Sequence, residues 1–287
     1  MAAPFAWTVA SGSRRAKVRL HSVLRGPAIM SSDQPVPVYL LCNARFHDTD
    51  FARVELLKLL GEQPDVVTRV GEDYSQQDAI CASKLLITYT CDVRPSLAEQ
   101  QALKRFLEGG GRWFALHATN AIIEFVGAAA PSGGLRIPGK ASTPDLAPLL
   151  MELLGSRFIS HPANQNLHVR VKAPLHPVVS GIQSFDIVDE PYYCEFHGAH
   201  TTLLEADYDA PATGYVVQTI DRPGPHPIMY THPVGRGEVL YLTLGHCRGK
   251  YDMRPFMPVC PVDRVAWGVP EFYELLRRGI RWGIGAL

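Results

Sequence analysis

The first long apolar run is Val36-Pro37-Val38-Tyr39-Leu40-Leu41-Cys42, short and stopped by Asn43, which is the pattern of a buried strand. From Phe51 to Leu60 the period changes. Phe51, Val54, Leu57 and Leu60 fall on one side of a helix, with Asp50 placed to cap it and Gly61 to end it. Residues 65–70 and 84–90 return to strand patterning. Ser96-Leu97-Ala98-Glu99 is a capping box that opens a helix to about Glu108. Gly109-Gly110-Gly111 stops that helix and feeds the strand Arg112-Trp113-Phe114-Ala115-Leu116.

Regular alternation of strand and helix through residue 125 predicts an α/β fold, a mostly parallel sheet with helices on both faces. Residues 128–143, rich in Gly, Pro and Ala, read as an inserted loop. A helix near 145–154 then precedes a strand-rich C-terminal half, with candidates at 167–171, 185–188, 201–206, 215–219, 228–231 and 238–243. A closing helix spans 270–282, with Pro270 at its start and Leu275, Leu276 and Ile280 to bury. No internal repeat or linker divides residues 36–287, which read as one domain.

Composition narrows the class. Of 287 residues, 46% are apolar and 20% charged, as in globular chains. Lysine plus arginine equals aspartate plus glutamate at 28 each, which gives no reason to expect nucleic acid as a partner. No apolar run reaches the roughly 18–20 residues of a membrane span. Before Asp33 stand Arg14, Arg15, Lys17, Arg19 and Arg25 with no acidic residue. Residues 1–35 are thus a leader: an unstructured tail, an organellar transit segment, or an upstream start with Met30 as the initiator. The six cysteines show no zinc-knuckle spacing, which points to reduced thiols and a cytoplasmic setting.

In an open sheet, ligands bind beyond the carboxyl ends of the strands. The residues just past each strand therefore carry information about function. Phe46-His47-Asp48 comes after the first, Cys91-Asp92 after the third, and His117-Ala118-Thr119-Asn120 after the Trp113 strand. Asp189-Glu190-Pro191-Tyr192 succeeds 185–188, and Leu244-Gly245-His246 succeeds 238–243. A single histidine at a strand end is more often packed or solvated than catalytic. Three of them aimed at one edge make a pattern. Gly235-Arg236-Gly237 precedes a strand and no helix, so it reads as a hairpin turn and not a phosphate cradle.

Phe46-His47-Asp48, Gly109 through Ala118, Asp189-Glu190 with Tyr192, and Thr243 through His246 occur in an order that resembles the ThuA-like (trehalose-utilisation) family. The others are His161-Pro162, His176-Pro177-Val178 with Gly181-Ile182, and Gly235 through Tyr241. The likeness runs from about residue 38 to 284, the 128–143 insertion apart. It implies a flavodoxin-like sheet related to the class I glutamine amidotransferases, and use of trehalose or other glycosides, often beside a sugar oxidoreductase. Where those amidotransferases carry a cysteine on a tight elbow, this chain has Leu116-His117-Ala118, so acyl-thioester chemistry is not expected. The family commonly has a tryptophan before the Gly-x-Gly turn; here Met229-Tyr230-Thr231-His232 stands instead.

The expected function is therefore binding or transformation of a sugar or keto-sugar by His/Glu acid–base chemistry. His117, His246 and Glu190 are the candidate catalytic residues, and His47, Asp48, Tyr192, His161 and Asn120 the candidate substrate contacts. Four histidines precede proline (His161, His176, His226, His232) and mark turns; His161 is the one expected to reach the site. His47, His117, His246 and Glu190 could alternatively hold a divalent metal ion. The alternative function is a non-catalytic module that holds a sugar or a partner protein in the same pocket.

Overall fold

A computed structural model describes residues 34–127, 131–132, 135–136, 139–221 and 224–287. The leader at 1–35 falls almost wholly outside them, as does much of the 128–143 insertion. In the first half, β1 (Val36–Ala44), α1 (Thr49–Gly61), β2 (Val66–Gly71), α2 (Gln77–Cys81), β3 (Leu85–Cys91), α3 (Leu97–Glu108) and β4 (Arg112–Leu116) alternate. A 3-10 turn at His117–Asn120 leads to the short strands β5 (Glu124–Val126), β6 (Pro131–Ser132), β7 (Leu135–Arg136) and β8 (Lys140–Ser142). Then come α4 (Pro148–Leu154), β9 (Ser156–Ser160), β10 (Gln165–Val171), β11 (Phe185–Asp189), β12 (Tyr193–Phe196) and β13 (Thr201–Ala206). The hairpin β14 (His226–Val234) and β15 (Gly237–Leu242) and the helix α5 (Pro270–Ile284) complete the chain.

Nine strands form one mixed sheet in the order β11-β10-β13-β14-β15-β4-β3-β1-β2. From β15 to β2 the neighbours run parallel; from β11 to β15 they run antiparallel. Given these pairings, β10 and β14 are the strands that oppose the rest. The carboxyl ends of β1, β3, β4, β15 and β11 therefore share one edge, although β11 lies at the far side of the sheet.

Strand alternation divides the core. Val38, Leu40 and Cys42 of β1 join a cluster with Leu56 and Leu60 of α1 and Leu275, Leu276 and Ile280 of α5. Tyr39 and Leu41 join a second cluster with Ile80, Leu103, Phe106 and Leu150 from α2, α3 and α4. Leu56 and Leu276 are wholly buried, each worth about 1.5–3 kcal/mol over an exposed side chain. Glycine lets α5 sit close on the sheet. A Cβ at Gly279 would lie 2.2 Å from the Phe114 ring, and one at Gly283 would lie 2.4 Å from Leu85.

Local signals explain most boundaries. The Ser96/Glu99 capping box forms as the sequence predicts. α1 is capped by Asp48, which accepts from the Phe51 N–H, and not by Asp50, which lies inside the first turn. The helix simply begins earlier than its apolar stripe. The strand predicted at 215–219 does not form. Tyr215 makes one bridge to Ala141, while Val216 and Val217 stay exposed in a turn closed by the bond from Ala212 N–H to Gln218 O. Conversely β9 and β12, which no sequence pattern marks, pair antiparallel in a separate two-stranded sheet.

Candidate functional site

Three strands of the parallel half end in the same unusual way. Phe46, Asp92 and His117 lie just past β1, β3 and β4 with φ of 71°, 59° and 49°. Left-handed backbone disfavours residues with a side chain, and it persists where surroundings impose it. At His117 the restraints are visible. Its Nδ1 lies 2.8 Å from Thr243 O, and its carbonyl lies 2.6 Å from the Tyr241 hydroxyl. That hydroxyl also lies 2.7 Å from Asn120 Oδ1 and accepts the Asn120 N–H at 3.0 Å.

The antiparallel half contributes through Asp189, fully buried at the end of β11. Its Oδ2 accepts from Gly245 N at 2.7 Å, and its Oδ1 accepts from Glu190 N at 2.7 Å and His246 N at 3.2 Å. One carboxylate thus fixes the loop that carries His246 and the start of the loop that carries Glu190. Gly245 has φ of 128°, which only glycine adopts freely.

The side chains then meet. His47 Nε2 lies 3.0 Å from His117 Nε2, and His117 Nε2 lies 3.6 Å from Glu190 Oε2. Glu190 Oε1 is 3.2 Å from His246 Nδ1 and 3.6 Å from Arg248 Nη2; its Oε2 is 3.6 Å from His161 Nε2. The Tyr192 hydroxyl lies 2.8 Å from His117 Nε2. At 3.2 Å the His246–Glu190 pair is close but misaligned, since neither His246 ring nitrogen makes a hydrogen bond among the described residues. These side chains meet at a small cleft whose walls include Phe46, Phe158 and Tyr215.

Burial dominates the electrostatics. It lowers His47 to about 3, reinforced by His246, and holds His117 well below the usual histidine range. Both are neutral at pH 7. Burial opposes charge on Glu190, but His161, His246 and His117 hold its carboxyl well below the usual carboxylate range. Burial likewise opposes charge on His246, where the neighbouring Glu190 outweighs it and raises the imidazole. Burial pushes Asp189 up to about 7, against the pull of His246 and the Gly245 N–H.

Of the residues the sequence singles out, His47, His246, Glu190, Tyr192 and His161 line the cleft, and His117 lies buried against three of them, His47, Tyr192 and Glu190. Asp48 does not line it: it caps α1 and pairs with Arg264. Asn120 lies beneath the floor, its side chain donating to Ser156 Oγ at 2.6 Å. Sequence patterning gives no site role to Asp189, Tyr241, Arg248, Phe158 or Tyr215. Arg248 stands two positions after His246, a spacing that could have pointed to it; Tyr241 looks in sequence like any strand residue. Cys91 lines the cleft too, but burial pushes its thiol up, so it is no ready nucleophile.

A mixed sheet with its polar groups gathered beyond the strand ends defines an α/β protein with its candidate site at that edge. The chain belongs to the ThuA family, described as trehalose utilisation, whose pattern matches residues 40–260. A ThuA-like protein from Bacteroides uniformis superposes with a TM-score of 0.59 at 18% identity, covering 90% of this chain and 95% of that one. A ThuA-like protein from Parabacteroides merdae gives 0.57 at 16% identity, covering 88% and 90%. A β-galactosidase from Rahnella sp. R3 gives 0.54 at 10% identity, over 88% of this chain but 32% of the enzyme. No curated protein matches the chain.

Proposed function

We propose that the chain binds or transforms a sugar or keto-sugar in the cleft, with the His/Glu floor and Tyr192 handling its oxygens. Family membership ties it to trehalose utilisation. The observation that supports the finer reading is the set of buried polar atoms left without a hydrogen-bond partner: His246 Nδ1 and Nε2 and Arg248 Nε, all on cleft residues. Buried polar groups are costly unless paired. A ligand rich in hydroxyl and carbonyl oxygens supplies partners of the right kind, while Phe158 and Tyr215 offer apolar wall to ring C–H faces. The two core layers on opposite strand faces support a flavodoxin-like arrangement with helices on both sides of the sheet. All six cysteines carry free thiols, which supports a reducing, cytoplasmic setting. A sugar oxidoreductase fits as the source of a keto-sugar.

Calorimetry and turnover against a panel of disaccharides, monosaccharides and their keto derivatives test the reading. An enzyme loses turnover in His117→Ala while keeping much of its affinity; a binding module shows affinity with no turnover in the parent. A panel with no binding above background ends the proposal. The alternative, a module for a partner protein, rests on no such unsatisfied chemistry.

A further inference from the structure

We propose that His47, His117, His246 and Glu190 together hold one divalent transition-metal ion at the floor of the cleft, a role that rests on the same pocket reading and deepens it. The argument begins with where the protons are. His47 Nδ1 lies 2.8 Å from Arg45 O and His117 Nδ1 lies 2.8 Å from Thr243 O. A carbonyl only accepts, so in each neutral ring Nδ1 carries the hydrogen and Nε2 carries a lone pair. Those two Nε2 atoms face each other at 3.0 Å. Two acceptors at that distance repel unless something positive lies between or beside them. The Tyr192 hydroxyl gives its proton to His117 Nε2 at 2.8 Å, which still leaves His47 Nε2 facing an atom already engaged.

The carboxylate completes the set. One donor atom from each of the four residues lies within 4.8 Å of the other three, and all four side chains are buried. A tetrahedron with metal–ligand bonds of about 2.0–2.1 Å has edges of about 3.4 Å. The close spacings here, 3.0 Å from His47 Nε2 to His117 Nε2, 3.6 Å from His117 Nε2 to Glu190 Oε2 and 3.2 Å from Glu190 Oε1 to His246 Nδ1, straddle that edge, with the carboxylate turning a different oxygen to each imidazole. Repulsive juxtaposition and ligand spacing thus have one common cause.

Outer contacts agree. Ligating imidazoles are usually oriented by a carbonyl or carboxylate on their second nitrogen. His47 and His117 have carbonyls there; the second nitrogen of His246 makes no hydrogen bond among the described residues, its nearest carboxylate oxygen being Asp263 Oδ2 at 3.8 Å. Three imidazoles with one carboxylate select a zinc-like first-row ion over magnesium or calcium, which prefer oxygen throughout. One carboxylate against a divalent ion leaves the floor net positive, suited to an electron-rich hydroxyl, enediol or keto oxygen. Tyr192 and His161, on the same walls, remain as the groups free to carry protons.

The test uses the full chain, stripped with chelator and titrated with zinc chloride and, separately, magnesium chloride. Zinc should bind at one equivalent and magnesium should not. Both His47→Ala and the isosteric Glu190→Gln should weaken zinc by at least about 100-fold, whereas His168→Ala, exposed and paired with Asp186, should leave it unchanged. Circular dichroism confirms that each variant is folded; Glu190→Gln and chelator competition on the parent stand in should His47→Ala fail. Zinc uptake below about a tenth of an equivalent by the stripped parent, or equal affinity in parent and Glu190→Gln, overturns the proposal. Repeating the sugar panel with and without zinc separates the two readings. Sugar binding without any zinc site removes the metal alone, and a zinc site with no sugar response removes the sugar reading alone.

Discussion

Tyr241→Phe removes a single oxygen from a buried ring that does not line the cleft, yet it should disturb both stability and the site. The hydroxyl accepts the Asn120 N–H at 3.0 Å and shares its proton between His117 O at 2.6 Å and Asn120 Oδ1 at 2.7 Å. The ring is wholly buried, so no water replaces the lost contacts. Asn120 N–H loses its acceptor, and His117 O and Asn120 Oδ1 lose the one proton they share; two lost hydrogen bonds at about 1–3 kcal/mol each give an expected loss of about 2–6 kcal/mol. For a chain of this size that lowers Tm by roughly 4–24 °C. Urea unfolding at neutral pH, monitored by far-UV dichroism, gives the free energy. Tyr230→Phe is the control. Its hydroxyl bonds Ser156 Oγ at 2.7 Å and Leu154 O at 2.9 Å, stacked beside Tyr241 but with no contact to His117. Both variants should be destabilised, and only Tyr241→Phe should also weaken ligand binding, because His117 is held at φ of 49° by that contact. A loss below about 0.5 kcal/mol, or equal binding losses in the two variants, refutes the reasoning.

Other outcomes rest on the same contacts. Folded His47 titrates at about 3 and His117 well below its usual range, so between pH 6.5 and about 3 only the unfolded chain takes up these protons. Stability should therefore fall as pH drops below about 6.5, each histidine contributing up to about 1.4 kcal/mol per pH unit; Glu190 adds loss in the same direction, while His246 and Asp189, its carboxyl raised to about 7, oppose it. Urea midpoints across this range should show a shallower slope for His47→Gln than for the parent. Gly279→Ala should cost about 1–3 kcal/mol by driving a methyl group into the Phe114 ring, measured by thermal melting; a neutral result would mean that α5 packs differently. Thiol titration of the native chain should find Cys81 as the fast-reacting group, with the buried Cys42, Cys91 and Cys247 appearing only on unfolding.

Much of this fold is legible in advance because strand and helix periods are written locally. β1, α1, β3, α3 and β4 announce themselves by period, capping box and glycine stop, and their alternation places the strand ends. The antiparallel half is harder. Phe158 and Cys194 lie on short strands whose pairing is set by distant partners, so β9 and β12 carry little local pattern. Residues 215–219 look like a strand because Tyr215, Val216 and Val217 are β-formers, but no neighbour buries the two valines. At the site, the histidines and Glu190 are legible as strand-end residues. Asp48 serves a different task from the one its position suggests, since an acidic side chain after a strand can equally cap the next helix. Asp189 and Tyr241 act one layer below the cleft, through backbone atoms of other residues, and nothing in a strand pattern reveals that.

Nitrogen NMR of the imidazoles, recorded on the full chain from pH 5 to 8 without and with zinc, addresses the central claim most directly. The account predicts that His47 and His117 stay neutral with hydrogen on Nδ1 throughout, and that His47, His117 and His246 shift together when the ion is added while His168 does not. Hydrogen found on Nε2 of His47 or His117, or zinc-induced shifts confined to histidines outside the cleft, would contradict it.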